Sequence, residues 1–244
     1  MYIDNLVIEV TRFCNMNCPH CLRGERQRKK FNTNMLENIF TGIDYVGTIT
    51  FTGGEPLTQV NMIIETLDYI EQNNIQLGAF YIVSNGTIYS KKLMDALQHF
   101  YCHYVDEQYL CGFEISQDQY HNEFDDKRTN NIYKYQVLKE YFGYEFIHLE
   151  NRKSIYTVIL EGRAKKFSKG RASECKNGFY EENSDYYNDN QVYVAANGNV
   201  ISNCDLSFEN VDKHCFGNVC NETLKSIIER NTKTDDEIEA IILQ

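Results

Sequence analysis

The sequence lacks an apolar run of the ~18–20 residues that a helix needs to cross a bilayer, so no helical membrane span is expected. We also expect no signal peptide, because the start of the sequence, MYIDNLVIEV, carries Asp4 and Glu9 and has no small-residue cleavage site. Positive charge is scarce too: 24 Lys and Arg oppose 35 Asp and Glu, for a net charge of −11. We therefore expect a cytoplasmic protein without membrane contacts, for which broad contact with nucleic acid is disfavoured.

One basic stretch interrupts this acidic chain. Residues Arg23 to Lys30 read RGERQRKK. Such a stretch is typical of a solvated loop, and it is also typical of a docking patch for an acidic substrate or partner. The sequence leaves both interpretations open.

The alternation of predicted strands and helices indicates a parallel sheet with helices outside it. About six strands precede Gly162, too few for a closed eight-stranded barrel, so we expect an α/β fold with a partial (β/α)6 TIM-like barrel. The composition changes near residue 165, which predicts a barrel domain at 1–164 and a small α+β extension at 165–244. Strands are predicted at Ile3–Val10, Thr48–Phe51, Ala79–Val83, Cys111–Ile115, Tyr144–Leu149 and Ile155–Leu160, and helices at Thr33–Phe40, Gln59–Gln72, Ser90–Phe100, Asn130–Tyr141 and Glu222–Arg230.

The nine cysteines are an odd number in a chain without an export signal. Structural disulfides are rare in a reducing cytosol, so clustered cysteines indicate metal binding or catalysis. Cys14, Cys18 and Cys21 share one loop just after the first predicted strand, where parallel α/β folds bind ligands. These thiolates could hold a cubane iron–sulfur cluster with one iron left open. Alternatively, they could bind zinc together with His20, although adjacent residues turn with difficulty toward one tetrahedral ion.

A second motif, Thr52-Gly53-Gly54-Glu55-Pro56, follows the second predicted strand. Adjacent glycines let a ligand approach the backbone closely, and the Glu55 carboxylate could bind a ligand's ammonium group. CxxxCxxC after strand one and GGEP after strand two resemble the signature of the radical S-adenosylmethionine (radical SAM) family. The resemblance covers about residues 3–162.

The resemblance implies roles for individual residues. Cys14, Cys18 and Cys21 would hold a [4Fe-4S] cluster whose fourth iron is chelated by SAM. His20 would pack near the adenine. The remaining SAM contacts implied are Thr52, Gly53, Gly54 and Glu55 at the methionine amino end, Ser84 and Asn85 after the third strand, and Ser116 and Asp118 after the fourth.

The C-terminal part contains Asn197-Gly198-Asn-Val-Ile-Ser-Asn-Cys204 and then Phe216-Gly217-Asn218-Val219, followed by a predicted helix. These segments resemble the SPASM extension of radical SAM enzymes, or its shorter form, twitch. The cysteines of the C-terminal part are fewer than a full SPASM domain needs. They suffice for one auxiliary [4Fe-4S] cluster, which we expect, although they could instead be spectators or bind zinc. The candidate ligands are Cys175, Cys204, Cys215 and Cys220.

The family's chemistry implies an enzyme that reductively cleaves SAM to a 5′-deoxyadenosyl radical, which abstracts hydrogen from a substrate. No side-chain general base is needed for the first step, so none is assigned. A peptide or protein side chain is the expected substrate, a small molecule or nucleotide is the alternative, and flavodoxin or ferredoxin would supply the electron. A non-catalytic iron–sulfur or zinc-binding interaction protein is a further alternative, which intact Glu55 and its glycine pair disfavour.

Overall fold

The computed structural model describes residues 1–116, 128–135, 147–150, 158–173, 178–180 and 191–233. Within these ranges the strands are β1 Tyr2–Thr11, β2 Tyr45–Gly53, β3 Gln76–Ser84, β4 Gly112–Ser116, β5 Ile147–Glu150, β6 Phe179–Tyr180, β7 Val192–Val194, β8 Asn199–Ile201, β9 Gly217–Asn218 and β10 Thr232–Lys233. The α-helices are α1 Leu36–Phe40, α2 Val60–Gln72, α3 Lys91–His103, α4 at residues 128–135, α5 Phe208–Lys213 and α6 Leu224–Asn231. In these ranges no helix combines the length and apolar character that a membrane span requires.

Eight strands form one mixed sheet in the order β5-β4-β3-β2-β1-β7-β8-β9. Strands β1 to β5 are all parallel, and β7 pairs parallel with β1, whereas β8 pairs antiparallel with both β7 and β9. The predicted mixed α/β fold is therefore confirmed. The predicted strand at Ile155–Leu160 is described only from residue 158, where Ile159 makes an isolated bridge with Arg171. The predicted helix at Asn130–Tyr141 is described only as far as residue 135.

Successive side chains of strands β1 to β4 point alternately to the two faces of the sheet. One face is apolar and buried, and it belongs to the same core as Ile63, Leu67 and Leu97 of helices α2 and α3. This burial stabilises the sheet and fixes its register, because a slip by one residue would expose the whole apolar set. The strand residues of this face are Leu6, Ile8, Val10, Ile49, Phe51, Phe80, Ile82, Phe113 and Ile115.

The opposite face of the same strands is polar. Its cross-strand neighbours include the pairs Asn5 with Thr48 and Thr50 with Tyr81, and the Tyr81 hydroxyl donates to the Glu114 carboxylate over 2.7 Å. We call this set the polar face: Asn5, Thr48, Thr50, Thr52, Tyr81 and Glu114, all half-buried. Parallel sheets are normally covered on both faces, so a half-exposed polar face marks a surface available to a ligand.

The C-terminal segment completes the sheet at β1. Strand β7 pairs with Leu6, Val7 and Ile8, so β1 has a partner on both sides. Val7 then packs into a small second core with residues of β7, β8 and α5. That core contains Tyr193, Ala195, Ile201, Leu206 and Val211.

A buried ionic network joins this segment to β1. The Arg12 guanidinium donates to Glu9 over 2.8 Å and to both carboxylate oxygens of Asp212 over 2.8 Å. Tyr193 also donates to Glu9, and Arg12 and Glu9 are fully buried. Burial raises the pKa of Glu9, and the nearby cations Arg12 and Arg23 oppose that shift. The network therefore depends on the cation of Arg12 remaining paired with the Glu9 carboxyl.

Replacing Arg12 by alanine would remove the guanidinium bound to the buried Glu9. We expect the free energy of unfolding to fall by roughly 3–5 kcal/mol, since removing one partner of a buried pair leaves an uncompensated charge. Urea unfolding followed by circular dichroism measures this change. Lys91→Ala, which removes an exposed pair with Asp95, is the matched control and should leave the midpoint nearly unchanged. Equal midpoints for the two variants would contradict this role of the network.

Candidate active site at the strand ends

The loop at residues 14–21, which we call the cysteine loop, follows the carboxyl end of β1. Cys18 is buried, whereas Cys14 and Cys21 are half-buried. The Cys21 amide donates to the Cys18 carbonyl over 3.3 Å, and the buried Met16 side chain anchors the loop. The loop therefore holds three thiols on one short, partly accessible segment.

The Cys14 sulfur lies beside two N–H donors. The Met16 amide donates to it over 3.4 Å, and the Asn85 side-chain amide approaches it at 3.8 Å. Burial raises the pKa of the Cys14 thiol to about 11, and these hydrogen bonds lower it only in part. Binding of a metal or cluster must displace this proton, because the thiolate is the ligand.

The GGEP loop, residues 53–56, packs directly on the start of the cysteine loop. The Gly54 amide donates to the Thr11 carbonyl over 2.7 Å, and the Glu55 amide donates to the Phe13 carbonyl over 2.9 Å. A Cβ atom on Gly53 would lie 2.2 Å from the Thr11 oxygen, and one on Gly54 would lie 2.3 Å from the Phe13 oxygen. The glycine pair thus permits close approach of the chain's own backbone, whereas the sequence suggested the approach of a ligand.

Glu55 is buried, and its carboxylate accepts three hydrogen bonds from the chain. The donors are the Leu57 amide at 3.1 Å, the Ser84 hydroxyl at 2.9 Å and the Asn85 amide at 2.8 Å. Burial raises the pKa of Glu55 to about 7, although these donors oppose the shift. Glu55 therefore connects the GGEP loop to the end of β3, a role that the sequence did not reveal.

Asn85 extends these connections to two further strand ends. Its side chain donates to the Asn15 side-chain oxygen over 3.0 Å, within the cysteine loop. Its carbonyl accepts from Arg128 Nε over 2.8 Å, and Arg128 also donates to the Ser116 carbonyl after β4. Arg128 was missed by sequence reasoning, because a single arginine in a polar stretch carries no distinctive signal.

Arg163 holds the other end of the cysteine loop. Its amide donates to the Cys21 carbonyl over 3.0 Å, and its Nε donates to the Cys18 carbonyl over 2.9 Å. Gly162 precedes it with φ +53°, and a Cβ there would lie 2.3 Å from the Gly24 nitrogen. This contact was also missed, since it joins residues far apart in the sequence.

The structure brings most of the predicted site residues together. Gly54 and Glu55 bond to Thr11 and Phe13, just before the cysteine loop. Ser84 and Asn85 bond to Glu55, and Asn85 also bonds to Asn15 within the cysteine loop. Arg128 joins Asn85 to the Ser116 carbonyl. His20 and Thr52 are half-buried near the same strand ends. Asp118 and Cys175 lie outside the described residues.

A mononuclear metal site is absent from the part of the chain that the structure describes. No three His, Cys, Asp or Glu side chains in those ranges converge closely enough to hold one metal ion. This disfavours zinc bound by the cysteine loop together with His20. A cubane places its ligands on separate irons, so it accepts thiols that are more widely spaced.

The C-terminal cysteines are dispersed. Cys204 follows β8 and lies beside Asp205, whereas Cys220 contacts Met35 Sδ at 3.5 Å and lies near the turn that precedes β8. Cys215 is exposed next to the Asp212 carbonyl. Because Cys204 and Cys220 occupy opposite ends of β8, the positions of these residues do not support the predicted auxiliary cluster that they would share.

Residues 8–142, more than half of the chain, match the sequence profile of the Radical SAM superfamily. An uncharacterized protein of Methanocaldococcus jannaschii is 32% identical over 100 residues, which are 39% of this chain and 35% of that protein. The matched segments span about a third of the length of the curated relatives.

Two solved structures share the fold. The structure of native anSMEcpe with bound AdoMet and Cp18Cys peptide is 15% identical, with a TM-score of 0.55 over 98% of this chain and 82% of that chain. Streptococcus suis SuiB bound to precursor peptide SuiA is 14% identical, with a TM-score of 0.51 over 93% of this chain and 64% of that chain. The profile match, the cysteine loop and the joined strand ends lead to one conclusion: the chain belongs to the radical SAM superfamily of enzymes.

Proposed function

We propose that this protein reductively cleaves SAM at a [4Fe-4S] cluster and abstracts hydrogen from a peptide or protein side chain. The observation that carries the proposal is the bonding of the GGEP loop to Thr11 and Phe13, just before the cysteine loop, and of Asn85 to Asn15 within that loop. This bonding supports a site in which the three thiols lie beside the loops that the family uses for SAM. The superfamily implies both cofactors, the cluster and SAM.

Cys14, Cys18 and Cys21 fit a cluster as ligands. Three thiols leave one iron available for SAM, and the N–H donors at Cys14 suit a thiolate sulfur. When bound, the cluster and SAM supply one-electron cleavage of the C5′–S bond, which yields methionine and a 5′-deoxyadenosyl radical. The chain's own residues orient these groups and exclude water.

The SAM site would lie along the joined loops. Glu55 would face the ammonium group of the methionine part, with Thr52 beside it, and Ser84, Asn85 and Ser116 would line the remaining strand ends. A carboxyl with a pKa near 7 can gain a cationic partner by ionising. His20, which is half-buried on the cysteine loop, would contact the adenine.

The fold suits a partial (β/α)6 barrel followed by a SPASM- or twitch-like extension at 165–244. Parallel strands β1 to β5 have helices on one face, and the polar face would then line the barrel interior. Strand β7 belongs to the extension and pairs with β1. An auxiliary cluster in this extension would require Cys175 and a rearrangement of the described cysteines.

A peptide substrate is supported by the polar face and by two structural neighbours. Tyr81, Glu114 and Thr50 offer hydrogen-bonding groups to a polar chain beside the SAM site. The anSMEcpe and SuiB structures each hold a peptide. Flavodoxin or ferredoxin would supply the electron.

The first test is the iron and sulfide content of the protein after anaerobic reconstitution. We expect ~4 iron atoms per chain in the wild type and none in the Cys14→Ala/Cys18→Ala/Cys21→Ala variant, because one cubane contributes ~4 iron atoms. With dithionite and SAM, only the wild type should form 5′-deoxyadenosine. About 8 iron atoms in the wild type and ~4 in the variant would instead establish an auxiliary cluster. A triple variant that still cleaves SAM would refute the cluster assignment.

A second test concerns the pH dependence of SAM binding. Because ionisation of Glu55 is required to attract the ammonium group, the Kd for SAM should fall about fivefold from pH 6 to pH 7 as this carboxyl loses its proton, below the pKa of ~7.7–8.0 at which an α-amino group loses its own. Isothermal titration calorimetry of the reconstituted protein measures this. The Glu55→Gln variant should bind SAM weakly and without this dependence. A wild-type Kd that is constant over this range would assign Glu55 a purely structural role.

A third test separates the substrate classes. A cell extract of the source organism that contains the substrate should stimulate 5′-deoxyadenosine formation. If the substrate is a peptide or protein, digestion of the extract by a protease beforehand should abolish this stimulation. Liquid chromatography of the product measures the rate. An equal stimulation by digested and intact extract would identify a small molecule or nucleotide as the substrate instead.

A further inference from the structure

The basic stretch found in the sequence forms an exposed surface. We call its exposed cations the basic patch: Arg26, Arg28, Lys29 and Lys30. The chain as a whole carries a net charge of −11, so this run of cations is opposite in sign to the net charge. An acidic protein would be repelled by the net charge of the molecule and attracted to this surface.

Backbone hydrogen bonds fix the patch against the end of β1. The Gln27 amide donates to the Arg12 carbonyl over 3.0 Å, and the Arg12 amide donates to the Lys29 carbonyl over 2.9 Å. The Phe31 amide donates to the Val10 carbonyl over 3.1 Å. The patch is therefore held to the residues that immediately precede Cys14, and its position relative to the cysteine loop is defined.

The other edge of the patch adjoins the segment that holds Cys18 and Cys21. Gly24 packs against Gly162, and the next residue, Arg163, bonds to the cysteine loop as described. Exposed cations continue on this segment at Lys165, Lys166 and Lys169. Positive charge thus flanks the cysteine loop along both of the segments that support it.

Nearby carboxylates reduce this charge only in part. Glu25 is exposed, directly precedes Arg26 in the sequence and lies 3.8 Å from Arg163. Asp212 is already paired with Arg12 and lies 3.5 Å from Lys29, and Glu161 lies 3.8 Å from Lys165. Within residues 25–30 the exposed cations outnumber the single exposed carboxylate.

We propose that the basic patch is the docking surface for an acidic one-electron donor protein of the flavodoxin type, which reduces the cluster. The inference rests on the proposed function. One electron passes from the donor to the cluster, so the donor undergoes a one-electron oxidation and the cluster a one-electron reduction. No bond forms or breaks in this step. Electron transfer requires proximity to the cluster, and the patch is bonded to the two segments that support the cysteine loop.

The location favours a donor protein over an acidic peptide substrate. A substrate must reach SAM, whose loops at Glu55 and Asn85 bond to the cysteine loop through residues 13–15. The patch is held through residues 10–12 and 162–163. A partner docked on the patch would therefore approach the cluster from its supporting segments and leave the polar face accessible.

The test compares two variants of equal net charge. Arg26→Glu/Arg28→Glu reverses charge within the patch, and Lys92→Glu/Lys134→Glu reverses two exposed cations on α3 and α4 as the matched control. Binding of a purified bacterial flavodoxin to each reconstituted protein is measured by calorimetry, and SAM cleavage is measured with reduced flavodoxin and, separately, with dithionite. Dithionite needs no docking surface, so its rate reports on the proposed function alone.

We expect the patch variant to bind flavodoxin at least about tenfold more weakly than wild type and to lose a similar factor in flavodoxin-supported cleavage at about 0.02 M ionic strength. This difference should shrink at about 0.5 M ionic strength, and the dithionite rate should be unchanged. Equal flavodoxin binding by wild type and the patch variant, or an equal loss in the control, would overturn the proposal. The proposal would also be overturned if the wild type bound a polyglutamate peptide and the patch variant lost that binding but still bound flavodoxin. Absence of dithionite-supported cleavage in the wild type would refute the proposed function and leave the binding measurement as the test of the patch.

Discussion

The site depends on one backbone contact, the packing of Gly53 and Gly54 against the end of β1. The Gly54 amide donates to the Thr11 carbonyl and the Glu55 amide to the Phe13 carbonyl, and no space remains for a Cβ atom on Gly53 or Gly54. This contact fixes the GGEP loop relative to the cysteine loop. Glu55 then reaches Ser84 and Asn85, and Asn85 returns to the cysteine loop. A side chain at either glycine would push the GGEP loop away from the end of β1 and so break the first of these contacts.

The C-terminal segment stabilises this arrangement from the other side of β1. An unpaired edge strand exposes amide and carbonyl groups that can pair with another chain, and β7 removes that exposure. Arg12 lies two residues before Cys14, and its bonds to Glu9 and Asp212 tie the start of the cysteine loop to α5. The position of the thiols therefore depends on residues about two hundred positions later in the chain.

The sequence predicted the elements that follow from local periodicity. The apolar, β-branched stretch Ile3–Val10 and the helical spacing of Gln59–Gln72 appear as β1 and α2. The cysteine loop and GGEP loop were found because their motifs are short and ordered along the chain. Contacts between distant residues were not predictable, as Arg12 with Asp212 and Arg163 with Cys18 show, because a single arginine in a sequence does not specify its partner. The dispersal of Cys204 and Cys220 was missed for the same reason, since the pairing of β8 with β9 decides which end of the strand each cysteine occupies.

The raised pKa of Cys14 has a consequence for the polypeptide before it acquires its cofactor. Oxidants and disulfides react with the thiolate, and at neutral pH burial keeps this sulfur in its protonated form. The half-buried Cys14 therefore reacts more slowly with oxidants than an exposed thiol while the newly made chain awaits iron and sulfide. The burial that disfavours ionisation of this ligand also favours its retention as a thiol, the oxidation state that can receive a cluster.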